Sequence, residues 1–213
     1  KAKRERKAWN AYVDDNVRPT DHKGANRPMS YAQVIGAVNE LCDRRDRVVT
    51  AAGGLPAELV ANWRTKSVGS IDVEFGFSCM GYEIAGGWGA RIAQMETEPE
   101  KDTIVFVGDG SYLMLNSDIY SSVLTGKKLM IIVCDNGGYA VINKLQNNTG
   151  NVSFNNLIKD CNIEGEAFAV DFAAHARAMG AAAETVDSIA ALKDAFKRAK
   201  AETRTTVISL KVD

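Results

Sequence analysis

The sequence predicts a three-layer α/β/α domain with a mostly parallel central sheet. Three observations carry that expectation. Short strands such as "TIVFV" and "KLMIIV" are apolar on both faces, amphipathic helical patterns lie between them, and glycine-rich turns follow three strands directly: "AAGGLP", "VGDGS" and "CDNGG". Strands without polar alternation must be covered on both sides, and a helix inserted between consecutive strands supplies cover while returning the chain for parallel pairing.

The elements follow in order. "KAKRERKAWNAYVDDN" is helix-like and charged, with "KAKRER" read as a solvated face, and "PTDHKGANRP" (19–28) carries two prolines and mixed charge as an exposed linker. Residues 1–28 are therefore an N-terminal helix and linker, and 29–213 the main body. In the body, "YAQVIGAVNELCDRR" reads as helix, "RVVTAAGG" as strand and turn, "MGYEIAGGWGARIAQM" as helix and "TIVFVGDG" as strand and turn. "SDIYSSVLTG" (helix), "KLMIIVCDNGG" (strand and turn), "DFAAHARAMG" (helix), "AAAETV" (strand), "SIAALKDAFKRAKAE" (helix) and "TTVISLKV" (strand) complete it. The small residues of "AGGWGA" suit close packing of a helix on the sheet.

A length of 213 residues with 46% hydrophobic content fits one large domain. Twenty-six basic against 27 acidic residues leave a net charge of −1, which points to neither nucleic acid nor an anionic membrane as partner. No apolar run reaches the roughly 18–20 residues of a membrane helix, and the start lacks a signal-peptide hydrophobic region. The expectation is a cytoplasmic chain. Cys42, Cys79, Cys134 and Cys161 form no C-x-x-C pair; three lie in or beside apolar segments and are expected as buried free thiols in a reducing compartment. The chain opens on Lys1 within a helical pattern, which suggests a piece of a longer polypeptide.

In parallel α/β sheets, ligands gather at the carboxyl ends of the strands. "GDGSYL" is not a Rossmann fingerprint, because Leu113 holds the third glycine position; "TGKK" lacks the Ser or Thr of a Walker motif and has Ser121 where its first glycine belongs. The turns instead present two oxygen-donor side chains, Asp109 and Asn136, each just after a strand. A crossover helix and a return strand fit between them, so neighbouring strand ends can bring both to one ion. A carboxylate plus a carboxamide is a hard-oxygen pair suited to Mg²⁺ or Ca²⁺, and Mg²⁺ completes its shell with phosphate oxygens and water. A diphosphate is then the natural third party, with Gly110, Ser111 and Gly138 offering backbone N–H groups. Alone, "GDG" would read as a turn with an Asx hydrogen bond; its pairing with "DNGG" in a β-α-β frame favours the metal.

Together, "AAGGLPAEL", "EFGFSCMGYEIAGGWGA", "GDGSYLMLNSDIYSSV" and "DNGGYAVINKLQ…FNNL" resemble the thiamine diphosphate enzymes. Within them the chain is similar to the C-terminal cofactor domain of the trihydroxycyclohexane-1,2-dione hydrolases of myo-inositol catabolism, over nearly all of residues 19–213. The resemblance implies thiamine diphosphate and Mg²⁺ as cofactors. It implies side-chain ligation of the metal by Asp109 and Asn136 and main-chain ligation by Gly138. Gly53, Gly54 and Leu55 fall where the backbone approaches the diphosphate. Met80 falls where a bulky apolar side chain holds the cofactor bent, a catalytic role, and Ser78 where a backbone carbonyl receives the aminopyrimidine. Gly110, Ser111 and Tyr139 are placed beside the cofactor. The implied reaction cleaves the C–C bond between the two carbonyls of a cyclic dione and adds water, giving 5-deoxyglucuronate. The alternatives are a synthase or lyase acting on 2-oxo acids, or a non-catalytic module binding Mg²⁺ and phosphate. The family's cofactor-protonating glutamate belongs to a pyrimidine-binding domain, supplied by another subunit of a homo-oligomer, so this chain alone is expected to be inactive.

Other candidates read as structural. Glu74 ends a strand and Glu83 lies on the next helix. His22 falls in the linker and His175 on an amphipathic helix, neither near a partnered acid or nucleophile. Tyr139, Asn143 and Gln146 follow the metal turn, where facing substrate and flanking a helix are equally open.

Overall fold

The computed structural model describes residues 1–18, 28–161, 164–165 and 168–213; His22 and nearly all of the expected linker lie outside these. Among the described residues six strands form one sheet in the order β2-β1-β3-β4-β6-β5: β1 (Arg47–Thr50), β2 (Ile71–Val73), β3 (Thr103–Gly108), β4 (Met130–Asp135), β5 (Ala182–Val186) and β6 (Thr206–Lys211). Every pairing is parallel.

Alternate residues of each central strand serve opposite helical layers, as the two-residue period of a strand requires. Ile104 and Phe106 of β3 and Met130, Ile132 and Cys134 of β4 share a core with α2 (Tyr31–Leu41), α3 (Leu55–Asn62) and α9 (Ile189–Ala201). Val105 and Val107, with Ile131 and Val133, face the other layer: α4 (Tyr82–Thr97), α5 (Asp109–Met114), α6 (Asp118–Leu124) and α8 (Phe172–Ala178). Double-sided cover is why these strands read as unbroken apolar runs. Gly87 of α4 lets that helix approach the sheet: a Cβ there would lie 2.4 Å from Val105 Cγ2. Helix α1 (Ala2–Val17) buries only Val13 fully, and packs on α2 and α3, with Val17 over Gly36 and an ion pair from Asp14 to Arg64.

Local signals account for the boundaries. Ser30 caps α2 reciprocally with Gln33: Gln33 N donates to Ser30 Oγ (3.2 Å) and Ser30 N to Gln33 Oε1 (3.1 Å), an arrangement worth about 1 kcal/mol. Helices α3 and α5 begin inside turns of the sequence reading. The "LP" of the first glycine-rich turn opens α3, because Pro56 sits in its first turn, where a missing N–H costs nothing. The "GDG" turn is itself the start of the short α5, with Gly108 as N-cap. The cysteines correct a further expectation: Cys42 and Cys134 are buried, whereas Cys79 and Cys161 are exposed on irregular segments that no helical layer covers. Among the described residues no helix is long and apolar enough to cross a membrane.

Candidate active site

Register brings the site together. Gly108, the last residue of β3, pairs with Cys134 of β4, so the residues that follow, Asp109 and Asp135–Asn136, emerge side by side. β1 lies on the other side of β3 and delivers Gly53 and Gly54 to the same edge. Connections leave β1 and β3 in opposite directions, toward β2 and β4, which makes this edge the topological switch point of the sheet. The cleft there is lined by Gly54, Leu55, Met80, Asp109, Asn136 and Tyr139, among others that include Gly53, Gly110, Ser111 and Gly138.

Asp109 is buried, and its Oδ2 accepts the Gly138 N–H at 2.7 Å. Burial, then the nearby Asp135 carboxylate, push its carboxyl up to about 6, against the pull of the N–H groups of Gly138, Gly110 and its own backbone. Asp135 itself faces away, accepting from Gly137 N (2.9 Å) and pairing with Lys211 (2.5 Å). The Asn136 amide donates its N–H to the Tyr31 hydroxyl at 2.8 Å. Its oxygen meets only acceptors: the Gly138 carbonyl oxygen at 2.7 Å and Asp109 Oδ1 at 3.1 Å. Turning the amide over would exchange this repulsion for two hydrogen bonds, and the Tyr31 hydroxyl can serve either orientation. A cation among the three oxygens removes the repulsion without that turn. Neighbouring oxygens around a six-coordinate Mg²⁺ stand about 3 Å apart, close to the spacing from the Asn136 oxygen to each of the other two. The donor set, one carboxylate, one amide and one main-chain carbonyl, fits a hard divalent cation.

Glycines leave room for a ligand's approach. At Gly53 (φ +83), Gly54 and Gly137 a Cβ would meet no atom within 4 Å, so the strand-end backbone lies open. Gly138 (φ +134) and Gly110 are needed for a different reason. A Cβ at Gly138 would lie 2.4 Å from Asn156 O, and one at Gly110 would lie 2.7 Å from Tyr139 Cε1 and 3.4 Å from Met80 Cε. Tyr139 and Met80 thus close over Gly110. The Leu55 side chain belongs to the core, leaving its backbone to the cleft. Ser111 is buried on α5.

The loop before Met80 is held by two glutamates. Glu74 accepts the N–H groups of Phe77 (3.1 Å) and Cys79 (2.9 Å), and these bonds hold its carboxyl below the usual range. Between them Ser78 takes a left-handed φ of +51, uncommon for a residue with a side chain. Glu83 is fully buried and joins two turns, Oε1 accepting from Ala52 N (3.1 Å) and Oε2 from Gly81 N (3.0 Å).

The remaining candidates separate. Gln146 is engaged structurally, donating to Val152 O and accepting from Asn156 Nδ2. Asn143 keeps a buried Oδ1 without a partner among the described residues. His175 Nδ1 lies 2.9 Å from the Tyr112 hydroxyl, a helix-packing role. Tyr31 was missed by sequence reasoning: no motif spacing ties a helix's first residue to a turn after the fourth strand.

Comparison with known proteins gives the family. The model of the family described as "Thiamine pyrophosphate enzyme, C-terminal TPP binding domain" matches residues 52–210. The chain belongs to that family. This thiamine pyrophosphate-binding domain is 38% identical over 207 residues to 3D-(3,5/4)-trihydroxycyclohexane-1,2-dione hydrolase 2 of Bacillus cereus, covering 94% of this chain and 31% of that protein. It is 38% identical over 189 residues to the 3D-(3,5/4)-trihydroxycyclohexane-1,2-dione hydrolase of Bacillus anthracis, covering 86% and 29%. The domain thus spans about a third of the length of the curated relatives it matches. Among solved structures, the thiamine diphosphate-dependent 4-hydroxybenzoylformate decarboxylase of Rhodococcus jostii RHA1 superposes with a TM-score of 0.77 at 18% identity, covering 92% of this chain and 35% of that one. Benzoylformate decarboxylase from Polynucleobacter necessarius gives 0.75, also at 18% identity and with the same coverage. At that identity the likeness speaks for the fold.

Proposed function

We propose that this domain forms the diphosphate- and Mg²⁺-binding part of a hydrolase that opens 3D-trihydroxycyclohexane-1,2-dione to 5-deoxyglucuronate. The observation that carries the cofactor reading is the convergence of the Asp109 carboxylate, the Asn136 amide and the Gly138 carbonyl on one point, with the inner end of the amide 2.7 Å from Gly138 O and 3.1 Å from Asp109 Oδ1. The identity to the dione hydrolases supports the substrate class.

In this reading Asp109, Asn136 and Gly138 hold Mg²⁺, and the open backbone of Gly53, Gly54 and Leu55, with Gly110 and Ser111, receives the diphosphate. When bound, thiamine diphosphate supplies the nucleophilic carbon and the electron sink for C–C cleavage. Met80, which lines the cleft, would support the cofactor through an apolar, adaptable side chain that brings no competing hydrogen bond. The backbone carbonyl of Ser78, in its left-handed turn, would receive the aminopyrimidine. Tyr139, packed over Gly110, shields the metal turn from water.

Exposed apolar side chains lie on the elements around the cleft: Phe77 before Met80, Leu113 and Met114 on α5, and Ile142 and Leu145 on α7 (Ala140–Asn148). They suit cover by a pyrimidine-binding domain from another subunit of a cytoplasmic homo-oligomer. Calorimetry with thiamine diphosphate tests the cofactor reading. Binding is expected to require Mg²⁺ and to weaken by about 100-fold or more in Asp109→Ala; equal binding in EDTA overturns it. For the substrate, the complete gene product should consume the dione with no second carbonyl acceptor. Turnover only when a 2-oxo acid acceptor is supplied overturns the hydrolase assignment.

A further inference from the structure

A second charged site lies at the opposite edge of the sheet. Arg44 and Arg45 stand in the turn between α2 and β1, Arg47 opens β1, and residues 67–70 lead into β2. Together with Glu98 they line a cavity of about 450 Å³, within the range of small-molecule sites. β3, beside β1, is six residues long, so this edge is about 20 Å from the strand ends that carry Asp109.

The charge is unbalanced. Of the three guanidinium groups, Arg45 pairs with Glu98, the one carboxylate in the lining. Arg44 spends its Nε on Lys66 O at 3.3 Å and keeps its terminal nitrogens. Arg47 makes no side-chain hydrogen bond, ion pair or ring contact with the described residues, and its Nε is buried and unsatisfied. Arg91 differs: its Nε is also buried without a partner, yet its terminal nitrogens donate to the carbonyls of Lys101 and Pro99. The nearby acids are committed elsewhere, Asp43 and Asp46 to Lys200, and Lys66 caps the end of α2 through Asn39 O and Cys42 O. Arg47 is half-buried, so its Nε–H lacks both water and a protein acceptor while its terminal nitrogens stay within reach of a ligand, and the natural complement of such a guanidinium is an oxyanion.

We propose that this cavity binds a phosphoryl group, free or carried on a small sugar or polyol. The guanidinium groups of Arg44 and Arg47, with the nitrogens that Arg45 keeps beyond its bond to Glu98, can engage three oxygens of a tetrahedral phosphoryl group, where a planar carboxylate offers two. The cavity also exceeds what phosphate alone fills.

The test is calorimetry of the full chain in EDTA at low salt, with inorganic phosphate, glucose 6-phosphate and malonate as probes. Expected is saturable binding of both phosphates, weakened about tenfold or more in Arg47→Gln and less in Arg44→Gln. Lys197→Gln, which removes the same charge from the exposed face of α9, should leave it unchanged. Should Arg47→Gln fail to fold, Arg44→Gln, an exposed position, still carries the test. Tighter binding of glucose 6-phosphate assigns the occupant to the ester, and equal binding assigns it to the phosphoryl group alone. No saturation by about 10 mM, malonate binding as tightly as phosphate, or equal loss in Lys197→Gln overturns the proposal.

Discussion

Tyr31 acts on the proposed metal site without touching the position among the three oxygens. Its hydroxyl accepts the Asn136 N–H at 2.8 Å, which fixes the plane of the amide, and burial pushes that hydroxyl well above the ordinary tyrosine range, so it stays neutral. Outer partners of this kind orient a ligand, and their loss typically costs 10–100-fold in metal affinity. Tyr31→Phe should therefore weaken Mg²⁺-dependent thiamine diphosphate binding by roughly tenfold or more, with little change in melting temperature; unchanged Mg²⁺ dependence would show that Asn136 needs no such support. At this scale the sequence displayed Asp109, Asn136 and the glycines, because oxygen donors between glycines stand out in the chain. Tyr31 and the two-turn bridge of Glu83 were not legible, since they depend on contacts between segments far apart in sequence.

At the scale of elements, the loop from β2 to α4 is the piece whose conformation depends most directly on a charge. Glu74 accepts two N–H groups best as the carboxylate, and those bonds lower its pKa. A depressed folded-state value means that the stabilisation is complete above the ordinary carboxylate range and is lost as pH falls through the lowered value. Limited proteolysis of residues 75–79 should thus accelerate in acid, and Glu74→Gln should show the same accelerated cleavage already at neutral pH. Cleavage of the variant at the wild-type rate at neutral pH would remove the carboxylate from this role. The strand and helix order of the body was legible because apolar runs and helical periods are local patterns. The helices α3 and α5 were not, because glycine-rich turns led directly into helices with no intervening loop.

Across the whole molecule, Lys200 near the end of α9 ties three parts of the chain. Its Nζ reaches Asp46 (2.8 Å), Asp43 (3.0 Å) and Asp102 (3.4 Å), joining α9 to the turn before β1 and the residue before β3. The Asp46 side chain is 1% exposed and also accepts the N–H groups of Asp43 and Asp102. Lys200→Met would leave that carboxylate without its cation, at a cost of about 3 kcal/mol. A chain of this size should then melt about 6–12 °C lower, measured by calorimetry or circular dichroism. An unchanged melting temperature would mean that the backbone N–H groups alone satisfy Asp46.

Taken alone, the chain's order of residues determined the layered α/β architecture, the family resemblance and the turns where a cofactor would sit, because each is written in local periodicity or in short motifs. Only the tertiary structure decided that the Asn136 amide stands within 3.1 Å of the Asp109 and Gly138 oxygens, that Tyr31 braces it, and that the Arg47 side chain lacks a partner at the far edge among the described residues. Those facts arise from strand register and from side chains meeting across the sheet, distances that no pattern along a single chain encodes.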